Sequence, residues 1–259
     1  MFRQKIIIPV LCLVTVIAPA SGAVAEGIDH AARYRACMVM AEKNPASAFR
    51  DAVRWRDLGG GEGASHCAAV ALIGLEQYRE AATRLEELAL DSKRAPQLKA
   101  RVLVQASQAW LLAGMADRAE AVATAALTLS STNAVSENAA ILIDRAQARA
   151  QLKDYRGALA DLDTSLKLRP SDADALVFRA TAKRFLQNLT GAAEDIEAAL
   201  RINFSHPDAL LERGILRRLS NYDKGAREDW LMVLSIAPTS GAAEAARANL
   251  EKMDVNLKP

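Results

Sequence analysis

The chain echoes itself every 34 residues without slipping. Arg145, Arg179 and Arg213 are spaced by 34, as are Ala158, Ala192 and Ala226; Asp161, Asp195 and Asp229; and Leu166, Leu200 and Leu234. Leu168 recurs as Ile202 and Ile236, and Pro170 as Phe204 and then Pro238. A fixed period of this length marks stacked helix-turn-helix units. One such unit cannot bury its apolar face alone, so neighbours stack into a solenoid with an open concave surface. A binding scaffold is therefore the first expectation.

With the arginine set at place 7 of 34, the three clearest units are 139–172, 173–206 and 207–240. Each first helix carries leucine at place 4 (Leu142, Leu176, Leu210) and a small residue at place 8 (Ala146, Ala180, Gly214). Each second helix carries alanine at place 20, a large apolar residue at place 24 (Leu162, Ile196, Trp230) and leucine at place 28. Spacings in multiples of four put these residues on one helical face. Small residues at 8 and 20 let the two helices approach, and the large ones fill the space toward neighbours. Weaker echoes run through 62–95, with Tyr78, Ala81, Leu85 and Leu88, and through 100–133, with Ala119, Ala123 and Ala126. Short insertions carrying Pro96 and Ser136 separate the units. A looser helical hairpin occupies 26–61, where Asn44-Pro45 reads as a cap and first-turn proline. Residues 242–253 read as a final amphipathic helix over the open end.

The Leu-x-x-Arg-Ala/Gly run, the small place 20, the apolar place 24 and the closing proline resemble the tetratricopeptide repeat family. The pattern departs at Phe204, and at Tyr222, which lies one place before its counterpart Tyr155. The resemblance implies an all-α, right-handed solenoid of about five or six repeats with a C-terminal capping helix. The stretch from Cys37 through Trp55 and Gly59-Gly60-Gly61 to His66-Cys67 resembles the N-terminal segment of exported bacterial members.

Residues 1–25 differ in kind. Arg3 and Lys5 precede an apolar run from Ile6 to Ile17, and Ala23-Val24-Ala25 supplies a small-x-small site, the pattern of a cleaved secretory signal. The run is short for a ~30 Å hydrocarbon core, so no stable membrane insertion is expected after cleavage. Export places the protein in the periplasm or outside the cell. Cys37 and Cys67 then remain as an even pair in an oxidising compartment. A disulfide between them is expected, with two buried thiols as the alternative. The formal charge of +2 is too near neutral for a nucleic-acid partner.

Candidate chemistry thins out on inspection. Gly59–Gly63 lacks the Lys-Ser/Thr of a phosphate loop and reads as a turn. His66 and Cys67 are adjacent, about 100° apart on a helix, so they cannot serve one ion. No metal site and no cofactor is expected. Places 7 and 23 lie equally far from the hairpin turn. Arg145–Asp161, Arg179–Asp195 and Arg213–Asp229 are therefore expected as structural ion pairs.

In tetratricopeptide repeats, places 2, 5, 9 and 12 of the first helix face the groove. Carried across, these are Val104, Gln108 and Leu111; Ile143 and Gln147; Val177, Thr181 and Arg184; Leu211, Ile215 and Arg218. The lysines and asparagines by which one subclass grips a carboxyl terminus are missing, so an apolar groove with a basic rim at Arg184, Arg217 and Arg218 is expected. The same apolar residues could instead pack between first helices. The function expected is a non-enzymatic, exported scaffold for a protein or peptide segment, within an envelope assembly; the rival is a helical-solenoid enzyme acting on envelope glycan. Oligomeric state is left open.

Overall fold

The computed structural model describes residues 28–256, so the signal segment expected at residues 1–25 lies outside the described residues. Among these residues there is no strand. Five hairpins form the body: α3 (Gly61–Gly74) with α4 (Tyr78–Asp91), α5 (Pro96–Leu112) with α6 (Ala116–Leu129), α7 (Val135–Gln151) with α8 (Tyr155–Leu168), α9 (Ala173–Phe185) with α10 (Leu189–Ile202), and α11 (Pro207–Leu219) with α12 (Asp223–Ile236). They are preceded by α1 (His30–Lys43) and α2 (Pro45–Trp55) and followed by α13 (Gly241–Asn256).

Every second helix is 14 residues long and spans places 17–30 of its unit. The insertions do not disturb this phase. They lengthen the first helices α5 and α7 to 17 residues, against 13 in α9 and α11. The extra turn is added at the N-terminus, where Pro96 sits at a first-turn position that needs no donor.

The hairpin turns share one geometry. The place 16 amide bonds back to the place 11 carbonyl in all five, as in Asp154 to Arg149 at 2.8 Å and Asn188 to Lys183 at 2.9 Å. This 6→1 bond closes each first helix in a Schellman motif. The motif requires a left-handed residue at place 15, supplied by Glu76 (φ 60°), Gly114 (71°), Lys153 (64°), Gln187 (64°) and Asn221 (57°).

In the last unit small place 8 meets large place 24 inside the hairpin, where the sequence expectation has the large residue filling space toward neighbours. The Trp230 indole donates to the Leu211 carbonyl at 3.2 Å and lies over Gly214. A Cβ at Gly214 would stand 2.7 Å from Trp230 Cδ1 and closer still to Nε1. The two units with the smaller Leu162 and Ile196 at place 24 carry Ala146 and Ala180 at place 8 instead.

The cap α13 packs on α11 and α12 and keeps the 34-residue phase. Ala243 at place 3 is buried like Ala175 and Ala209, and Arg247 stands 34 residues after Arg213. On its far side polar residues replace the repeat's inward ones. Exposed Glu244 occupies the leucine place 4, and exposed Glu251 the basic place 11. α13 is a first helix rewritten to face water.

At the other end, Asn44 alone joins α1 to α2, and its side chain caps α2 through the Ser47 amide at 3.1 Å. A kink at Arg56–Gly60, where Leu58 and Gly59 leave helical φ/ψ, leads into α3, with Gly59 at φ 83°.

Gly214→Ala should lower stability by about 1–3 kcal/mol, because overpacking against a rigid indole outweighs the ~1 kcal/mol gained in helix propensity. Adding Trp230→Leu should recover most of the loss, which thermal melts of the single and double variants will measure.

Candidate functional site

The face that can bind is set by the one that cannot. On the inner side of the three C-terminal hairpins, each place 7 arginine grips the place 23 aspartate with two nitrogens. Arg145 reaches Asp161 at 2.9 and 2.6 Å, Arg179 reaches Asp195 at 2.9 and 2.6 Å, and Arg213 reaches Asp229 through Nη2 at 2.7 Å. The aspartates are buried, at 4, 4 and 3% exposure. A second cation joins each from place 11: Arg149 at 2.9 Å, Lys183 at 2.7 Å and Arg217 at 2.8 Å. The same cations reach the carbonyls of Gly157, Gly191 and Gly225 at place 19. The place 7 arginines also extend to the preceding unit, Arg179 to Asp163 at 2.9 Å and Arg145 to the Thr124 hydroxyl at 3.3 Å. These arginines are spent inside and between hairpins.

The groove residues fare unequally. Val104, Leu111, Leu211 and Ile215 are half-buried and keep an open face, as do Gln147 and Thr181, while Gln108 is exposed. Ile143 and Val177, expected on the binding surface, are buried at 8 and 4%. Their place 5 side chains lie in the seam where α7 packs on α5 and α9, within the main C-terminal core. The basic rim is also corrected. Arg184 is bonded to buried Glu212, Arg217 to Asp229, and Arg218 to Asp223, so each charge is already matched.

One carboxylate in the seam has no cation. Asp144 on α7 is 9% exposed and accepts only from Gln108 Nε2 on α5, at 3.0 Å. Burial pushes its pKa from 3.8 up to about 6, with the Gln108 bond opposing the shift.

A cavity of about 720 Å³ opens at the N-terminal end. α5 packs on α7, α7 on α9 and α9 on α11, but α3 and α5 stand apart and the cavity lies between them, closed behind by α1 and the 56–60 turn. Its lining includes Gly63 and His66 at groove places 2 and 5 of the first unit. Leu88, Leu98 and Val102 form its apolar part. His66 bonds the Tyr34 hydroxyl through Nδ1 at 3.0 Å and Gln105 Oε1 through Nε2 at 2.6 Å. Burial holds the imidazole below its ordinary pKa and raises that of the Tyr34 hydroxyl, so both are neutral near pH 7. Trp55 donates to His30 Nδ1 at 3.0 Å, and Arg94 pairs with Glu62 across the rim. Directly behind His66, Cys67 on α3 is bonded to Cys37 on α1, with Cα atoms 6.2 Å apart. The α3 wall is thus covalently joined to the α1 back of the cavity. Sequence reasoning passed over this cavity. His66 and Cys67 offer no shared metal site and Cys67 is expected in the disulfide, while the spacings from His66 to Tyr34 and Gln105 follow no repeat.

No protein-family profile matches the chain, and no curated protein matches it. Solved structures do. PilF of Pseudomonas aeruginosa is similar over 85% of this chain and 97% of its own, with a TM-score of 0.64 at 15% identity. The fold is the tetratricopeptide solenoid. A MamA fragment from Desulfovibrio magneticus RS-1 aligns over 76% of this chain and 98% of its own, with a TM-score of 0.51 at 20% identity. YrrB, described as a tetratricopeptide protein with an unusual peptide-binding site, covers 71 and 91% with a TM-score of 0.50 at 18% identity. At these identities the tetratricopeptide likeness is one of fold.

Two outcomes follow. Because folded Asp144 holds its proton up to about pH 6 while the unfolded chain releases it near 3.8, the folded state binds more protons between these values. The Asp144 contribution therefore favours folding at low pH and is lost as pH rises past 6. His66, with its lowered pKa, acts in the opposite sense, so the difference between wild type and Asp144→Asn isolates the carboxylate. That variant should be the more stable at pH 7, by on the order of 1–3 kcal/mol, with the gap closing toward pH 4 in thermal melts. Separately, reducing a disulfide that closes a loop of 30 residues should cost roughly 3–4 kcal/mol in the chain-entropy treatment. Melting curves with and without reductant, against Cys37→Ala/Cys67→Ala as control, measure this.

Proposed function

We propose that the chain is an exported, non-enzymatic scaffold that holds a protein or peptide segment on the concave face of its first helices. The carrying observation is the row of half-buried apolar side chains at groove places, Val104, Leu111, Leu211 and Ile215, interleaved with Gln147 and Thr181. Such a surface offers apolar area and neutral hydrogen-bonding groups to an extended segment. The peptide site ascribed to YrrB supports the reading by likeness of fold. Export is supported by the sequence of residues 1–25 and by the joined Cys37 and Cys67, a pairing suited to an oxidising compartment. No helix among the described residues is long and apolar enough to cross a membrane. A place within an envelope assembly accords with these features.

The enzyme reading draws no support from the cavity. Glycan hydrolysis needs two carboxyl groups flanking a cleft. Glu62 is the only carboxylate in the cavity lining, and it is committed to Arg94.

Photo-crosslinkers at Leu111 and Leu211 should capture a saturable partner from periplasmic extract. Because the arginines beside the groove are already paired, capture should persist in about 1 M salt, where screening shortens to ~3 Å. Ile215→Asp should reduce capture at least tenfold without altering the helical circular dichroism. Capture that salt abolishes and Ile215→Asp leaves intact would reject the apolar groove.

A further inference from the structure

We propose that the N-terminal cavity is a binding site for an apolar group that carries a carboxylate, a site lined by other residues than the groove row of Val104, Leu111, Leu211 and Ile215 and independent of the scaffold reading. Its volume, about 720 Å³, suits a small ligand or a pair of side chains. Leu98, 40% exposed, and Val102 supply an apolar wall on α5.

The free polar groups are donors. Only one assignment gives both the Tyr34 hydroxyl proton and the His66 ring proton a protein acceptor. In it, Tyr34 donates to Nδ1, and Nε2–H donates to Gln105 Oε1. This chain of bonds fixes the Gln105 amide, leaving its Nε2 with two N–H groups and no protein acceptor among the described residues. Lys99, which also lines the cavity, has no carboxylate partner there. The acceptor side is spent: Glu62 is taken by Arg94 and held ionised below the usual carboxylate range by that bond, and Glu137 is taken by Arg101. A ligand that brings an apolar body and an anionic acceptor satisfies both halves of the cavity. A cationic ligand would meet Lys99, Arg94 and Arg101 with nothing to pair with. The Cys37–Cys67 bond fixes α1 against α3, the back and one wall, so that part of the cavity needs little ordering on binding.

Isothermal titration of octanoate into the purified, disulfide-bonded chain should show saturable one-to-one binding, and octylammonium none. Gln105→Glu keeps the acceptor for His66 but exchanges two donors for a charged oxygen. It should weaken octanoate by roughly tenfold or more. Lys99→Glu, at a half-buried position of the lining, should weaken it in the same direction, with helical circular dichroism confirming the fold. A capped peptide of alternating leucine and glutamate separates the sources of the carboxylate. Peptide binding that Gln105→Glu weakens assigns a partner segment, and octanoate binding alone assigns a free acyl carboxylate. If neither probe binds, if octylammonium binds equally, or if both substitutions leave octanoate affinity unchanged, the inference is overturned. Octanoate affinity measured in Ile215→Asp keeps the two sites apart, since that change lies in the C-terminal groove.

Discussion

A buried aspartate held by two cations is the constraint on which the C-terminal half depends. Asp161, Asp195 and Asp229 are nearly sealed from water, and a lone carboxylate there would cost several kcal/mol. Each is matched by a bidentate arginine from place 7 and a second cation from place 11. Such clusters contribute less to net stability than to register. A one-residue slide of either helix would strand the charge. With the slide forbidden, small place 8 must meet large place 24, and the unused side of the first helix must turn outward. The arginine that locks one hairpin also reaches place 25 of the one before, so the same device sets the stacking.

This explains which parts of the fold could be read in advance. Hairpins, turns and Arg–Asp pairs were legible because both partners recur at fixed places. The second cation (Arg149, Lys183, Arg217) and the place 19 glycines (Gly157, Gly191, Gly225) recur just as faithfully, and the same comparison would have found them. The glycines are small for a local reason. The place 16 side chains Asp154, Asn188 and Tyr222 fold back over place 19, and a Cβ there would strike them. The left-handed place 15 was illegible because only Gly114 announces it. Glu76, Lys153, Gln187 and Asn221 accept the conformation at a cost of about 1–2 kcal/mol each, offset by the Schellman bonds around them.

The groove was legible only as a face. A period of 34 says which side chains share a direction, not how near the next helix comes. Ile143 and Val177 point with Leu211 by sequence, yet close packing of α7 with its neighbours removes them from the surface. Charge pairing escaped for the same reason. Glu212 and Asp223 show that the apparent rim arginines are neutralised only once the helices are placed.

The cavity lay beyond sequence because it arises where the repeat's own rule lapses. In the first two units place 7 is Ala68 and Ala106, and place 23 is Arg84 and Val122, so no buried aspartate sets the register. Apolar packing around Leu72, Leu85 and Trp110 takes its place, and the Cys37–Cys67 bond fastens α1 to α3. The disulfide ties α3 to α1 and not to α5, so it leaves the spacing of α3 and α5 unset. Into the space come Tyr34, His66 and Gln105, separated in sequence by 32 and 39 residues and sharing no repeat place that would associate them. Consistency of local and global signals marks the structural half of the molecule, and its loss marks the half with room for a ligand. The clamp that holds the register of the C-terminal units goes with closely packed first helices, which bury Ile143 and Val177, whereas between α3 and α5, where the clamp is absent, the groove places Gly63 and His66 line a cavity instead.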